Sequence, residues 1–205
     1  MSSNPQELTL GFCGPEELER WLLRAGMSVS DPHKVNLSIL CAGAYSFMCD
    51  EVDVPALKCP DAGSYVTELV EPTSSKYLRL KGFPIVDVSL VYYDDLVANA
   101  LAATDFKIWM PQTHQELYHP DGWSDPEYYW NVRYRCGYQA SDRQYAALTM
   151  IQLMIASAVW KTSGGACVVA NQEGDLVYVR ANLDKEIANI VESLLAPYRK
   201  NELMP

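Results

Sequence analysis

Apolar positions recur at helical spacing through SDRQYAALTMIQLMIASAVWKTSGG, residues 141–165. Tyr145, Leu148, Ile151, Met154, Ile155, Ala158 and Val159 fall three and four apart, the repeat that aligns side chains on one side of an α-helix. Ser141 followed three residues later by Gln144 has the form of a capping box, and Gly164-Gly165 supplies a stop. Both faces of this segment are largely apolar, so the pattern predicts a long central helix that other elements bury.

Two further helices are predicted before it. Gly14-Pro15 opens the first, with Glu16 and Glu17 in the turn where carboxylates suit the helix dipole. Leu18, Trp21, Leu22 and Ala25 form its stripe, and Gly26 ends it. Asp31-Pro32 opens the second, which runs to about Asp50 and carries the small-residue patch Cys41-Ala42-Gly43-Ala44, suited to close approach of another helix. A last helix is predicted after Asn182, with Ile187, Ile190, Val191, Leu194 and Leu195 apolar.

From Gly63 the period becomes two. Strands are predicted at Tyr65–Val70, around Tyr77 and Arg79 as its return across the turn Glu71–Ser75, at Val86–Tyr92, at Phe106–Met110 and at Tyr128–Tyr134. A short apolar helix over Leu96–Ala103 and a long polar, aromatic loop over Pro111–Glu127 interrupt them. A hairpin is predicted around Asn171–Gly174. The expected fold is therefore α+β: a helical bundle formed by N- and C-terminal helices around a long central helix, residues 14–61 and 138–205, with a β-rich lobe inserted at 62–137.

Length and charge narrow the function. With 205 residues the chain can bury one sizeable core, and no run approaches the roughly 18 apolar residues of a membrane span. MSSNPQELTL lacks the basic-then-apolar form of a secretory signal, so a soluble cytoplasmic product is expected. A formal charge of −10 argues against binding nucleic acid by neutralising phosphates. The six cysteines show no zinc spacing and are expected as reduced, mostly buried thiols.

Catalytic signatures are missing from the sequence: it has no GxGxxG, P-loop, GxSxG or HExxH. No catalytic residue, metal site or cofactor is expected. His33 reads as surface, and His114 and His119 as members of a solvated loop. Trp109, Trp123, Tyr128, Tyr129 and Trp130 flank that loop, and they either pack a small β lobe or bury against a partner subunit. With Glu116, Asp121 and Asp125 nearby, a carbohydrate-binding protein or hydrolase is the enzyme-class alternative. The tail Asn201, Glu202, Leu203, Met204, Pro205 is either a disordered end or a docking peptide.

Four segments in this order resemble the head–tail connector (adaptor, or head-completion) proteins of tailed bacteriophages. They are AGAYSFMCDEVDV at 42–54, LRLKGFPIVDVSLVYYDD at 78–95, NVRYRCGY at 131–138 and LLAPYRK at 194–200. The resemblance implies a non-enzymatic virion structural protein of the neck, made in the host bacterial cytoplasm. It implies a homo-oligomeric ring, usually a dodecamer, below the portal protein and joined to a neck or tail protein. Genomic DNA would pass through the lumen without specific binding, and no membrane is involved. By position, the resemblance also implies that residues 201–205 dock into the portal. Another neck or tail-completion component is the nearest alternative.

Overall fold

A computed structural model describes residues 11–34, 36–93, 100–110, 115–124, 129–163 and 183–199. The chain forms two compact units. One takes the described residues up to Val52 together with Ala140–Arg199, and the other takes Asp53–Gln139.

The first unit is helical. Helix α1, Pro15–Arg24, starts with proline in its first turn and buries Leu18 and Leu22. It closes as a Schellman turn, in which the Met27 N–H donates to the Leu22 carbonyl at 3.0 Å and the Gly26 N–H to the Leu23 carbonyl at 3.1 Å. Gly26 takes the left-handed φ of +76° that this closure needs and that a side chain disfavours. A single turn, Asp31–Lys34, precedes α2, Asn36–Val52. Helix α3 spans Arg143–Ser163 and α4 spans Lys185–Leu195, running into the 3₁₀ turn Ala196–Tyr198.

Helices α2 and α3 run antiparallel. Gln152 meets Cys41, Trp160 meets His33 in the turn before α2, and the Phe12 ring bridges Tyr45 and Tyr145. The patch Cys41–Ala44 is buried in this pairing, because small side chains let the α3 residue Gln152 reach the α2 backbone. Gln152 is fully buried, and its amide ties three segments together. Its Oε1 accepts from the Phe12 and Cys13 N–H groups at 2.7 and 3.1 Å, and its Nε2 donates to the Cys41 carbonyl at 2.7 Å. The Cys13 and Cys41 thiols lie 3.9 Å apart, and that contact followed by burial pushes the Cys41 thiol pKa far up. Arg199 fastens the end of α4 to the last turn of α2, donating to the Glu51 carbonyl and carboxylate at 2.9 and 3.0 Å.

The protein is α+β, but the predicted bundle around one long central helix is not formed. The longest helix is α3 at 21 residues, and it lies beside the 17-residue α2 as a partner. The reason lies in its N-terminal half, where Ala146, Ala147 and Met150 face solvent. A helix with a wet face cannot be the centre around which others close. It also begins at Arg143, so Asp142, not Ser141, immediately precedes it.

The second unit holds two small antiparallel sheets. In one, β6 (Trp130–Cys136) lies between β1 (Val66–Val70) and β3 (Ile85–Tyr93). In the other, β5 (Glu116–Tyr118) lies between β2 (Tyr77–Leu78) and β4 (Lys107–Trp109). The Tyr77 segment is therefore not the return strand of Tyr65–Val70, since β1 and β2 belong to different sheets. The 111–127 region is not wholly loop, because it contains β5. Within the Leu96–Ala103 segment, residues 100–103 are not helical, and the others lie outside the described residues, as does the hairpin at 171–174.

One apolar core serves both sheets, built on Leu78, Ile85, Val91, Leu117, Trp123, Trp130 and Tyr134. Tyr134 anchors it. Its hydroxyl accepts the Gly82 N–H at 2.8 Å and donates to the Glu68 carboxylate at 2.5 Å. Burial, then the Glu68 carboxylate, pushes the Tyr134 pKa well above the usual phenol range. Glycine is required at 82 by contact. A Cβ there would overlap Cys136 Sγ and stand 2.7 Å from the Tyr134 ring.

Candidate functional site

Side-chain alternation makes the sheet β2–β5–β4 two-faced. Leu78, Leu117 and Ile108 pair across the strands and pack on the core. Their neighbours therefore project from the opposite face. The register sets Tyr77, Tyr118 and Lys107 in one row across the three strands, and Glu116 opposite Trp109 in the next. Arg79, two residues beyond Tyr77, completes the second row, its Nε donating to Glu116 Oε1 at 2.7 Å.

The rings form a connected group. Tyr77 lies 5.4 Å from Tyr118 and 6.1 Å from Trp109 by centroid, each pair tilted by about 50° (54° and 51°). Lys107 Nζ sits 5.1 Å from the Tyr118 centroid and 5.8 Å from that of Trp109, a cation held against two π faces. Trp109 is 41% exposed, and Met110 beside it is 70% exposed. Glu116 is nearly covered, so the Arg79 guanidinium satisfies a carboxylate that would otherwise be costly to bury. The face thus presents large apolar area and fixed positive charge on a chain that is acidic as a whole.

The structure separates the aromatic residues singled out in the sequence. Trp109 and Tyr129 are exposed, whereas Trp123 and Trp130 are core. Trp123 is fully buried, and its Nε1 is shared between the Lys76 and Leu117 carbonyls at 3.1 and 3.2 Å. Trp130 stacks edge-on against it, with centroids 5.2 Å apart, and donates to its carbonyl at 3.2 Å. That packing removes Trp123 and Trp130 from any surface of the chain. Tyr128, His114, Asp125 and residues 201–205 lie outside the described residues. His33 and His119 are half-buried against Trp160 and Trp123 instead of fully solvated, and His119 Nδ1 has no hydrogen-bond partner among the described residues.

Tyr77, Arg79, Lys107 and Tyr118 were not singled out from the sequence as site residues. The alternation Glu116-Leu117-Tyr118 inside the supposed loop was the available signal. Among the described residues, no three His, Cys, Asp or Glu side chains converge to hold a metal. No described helix is long and apolar enough to cross a membrane. No protein-family model, curated protein or solved structure matches the chain.

Proposed function

We propose that the protein is a structural component of a tailed-phage neck, a head–tail connector that forms a ring below the portal and contacts neighbouring subunits or the neck through the outer face of β2–β5–β4. The single observation that carries this reading is that face: three grouped aromatic rings and two cations on a three-stranded platform of only a few residues. Aromatic residues and arginine are among the types enriched where protein meets protein. The resemblance of four ordered segments to connector proteins supplies the assembly. An acidic chain suits a channel wall, since like charge keeps DNA from adhering.

The test is co-sedimentation with the portal protein encoded in the same genome, followed by electron microscopy. The expected product is a ring of this chain capping the portal. A folded protein that leaves a clean portal bare would reject the connector assignment. The pair Tyr77→Ala and Trp109→Ala should keep the circular dichroism spectrum and reduce assembly by about tenfold or more, as loss of roughly 1.4 kcal/mol or more of interface energy requires. Full assembly by that variant would remove the sheet face from the interface.

A further inference from the structure

A groove of about 460 Å³ runs between α1 and α3. From α1 it is lined by Arg20, Trp21 and Arg24, which share one helix side at three- and four-residue spacing, and from α3 by Tyr145, Met150 and Leu153. Leu153 is buried at its base, Trp21 and Tyr145 are half-buried, and Met150 stays 45% exposed. Arg20 spends one N–H on the Glu16 carbonyl of its own helix at 3.2 Å, which leaves the rest of its guanidinium to the groove. Arg24 has no ion-pair partner among the described residues. Glu17 is the one acidic group in the lining, so the charge there is net positive. Its volume lies within the range of about 300–1,000 Å³ typical of ligand clefts.

The site therefore calls for a short segment with a carboxylate beside adaptable apolar side chains. The chain carries such a segment beyond Arg199, in the order Glu202-Leu203-Met204. We infer that the groove between α1 and α3 receives Glu202, Leu203 and Met204 of a second copy of this chain. Glu202 pairs with Arg20 and Arg24, and Leu203 and Met204 fill the trough between Trp21 and Met150. The contact uses a different patch on each partner, so it repeats head to tail and closes a ring if the rotation allows. The inference deepens the ring reading proposed above and rests on it for the choice of a neighbouring copy. It gives the tail a seat on the neighbour, where the resemblance assigns it to the portal. Unbranched Met150 and Met204 suit a seat that must adapt as copies join.

Disulfide trapping tests it. Met150→Cys protein is mixed with Leu203→Cys protein and mildly oxidised, with the unsubstituted protein and a mixture of Ser64→Cys with Leu203→Cys as baselines. A covalent heterodimer above both baselines is expected only from the first mixture. Arg20→Glu with Arg24→Glu in the Met150→Cys chain should lower its yield about tenfold, and Glu202→Lys in the partner should restore it. No heterodimer, or a cross-link formed only within a chain carrying both cysteines, would overturn the inference. Portal co-sedimentation separates the two ideas. Trapped dimers without portal binding leave the tail seat standing and reject the connector, and portal rings without trapping do the reverse.

Discussion

Replacing Gln152 with leucine should be among the most damaging conservative changes in the helical unit. The side chain is fully buried and its volume is nearly conserved, so cavity formation is a minor effect. What changes is hydrogen bonding. The Phe12 and Cys13 N–H groups lose their shared acceptor, and the Cys41 carbonyl loses a donor. Each buried N–H left unpaired costs about 1–3 kcal/mol, so two give roughly 2–6 kcal/mol before relaxation. That is a large share of the 5–15 kcal/mol typical of a domain. Urea unfolding followed by circular dichroism should show a lower midpoint at unchanged slope. Amide exchange at Phe12 and Cys13 should accelerate.

Gln152→Glu adds a sign test. Its carboxylate still accepts both N–H groups but faces the Cys41 carbonyl, whereas its protonated form can donate there as glutamine does. Full burial and that carbonyl favour the neutral form and outweigh the two N–H groups, which favour the charged one, so its folded pKa lies above the unfolded value of about 4.3. The unfolded state then loses its proton first, and stability falls as pH rises from about 4 toward 7. A leucine variant within about 1 kcal/mol of the parent, or a glutamate variant that gains stability over that rise, would refute the reasoning.

Three further outcomes follow from particular contacts. Gly82→Ala should destabilise the β unit by about 1–3 kcal/mol, because its Cβ meets Cys136 and Tyr134, and the same unfolding assay would show it. Tyr134 keeps its proton in the fold when the unfolded chain releases it near pH 10, so its contribution is present below pH 10 and lost above it, at about 1.4 kcal/mol per pH unit. Tyr134→Phe should flatten that alkaline decline while lowering neutral stability by about 1–3 kcal/mol for the unpaired Gly82 N–H, as read from unfolding curves at pH 8–11. Ile151→Asp places an unpaired carboxylate at a buried position of α3 and should prevent folding, and a soluble, cooperatively unfolding variant would show that the core lies elsewhere.

The helices were legible because their signals are local. Pro15 and the acidic first turn mark α1, Gly26 ends it, and the three- and four-residue repeat marks α3. The long alternating run that becomes β3 was equally plain. Strand partners were not, because pairing is decided between residues far apart in the chain. Nothing near Tyr77 reveals that it belongs beside Tyr118 instead of beside β1. Helix rank was hidden for a similar reason. An apolar stretch records that α3 is buried somewhere, but only packing against α1 and α2 leaves Met150 wet and removes α3 from the centre.

The aromatic residues show the same division. Sequence alone determined that an acidic chain gathers tryptophan and tyrosine around residues 109–130. Tertiary structure decided which of them are available. Trp123 and Trp130 satisfy their indole N–H groups on nearby carbonyls and fill the core, while Trp109 is turned outward by one residue of strand alternation. Composition fixes the amount of aromatic surface a chain can offer, and strand register fixes which face of the sheet offers it.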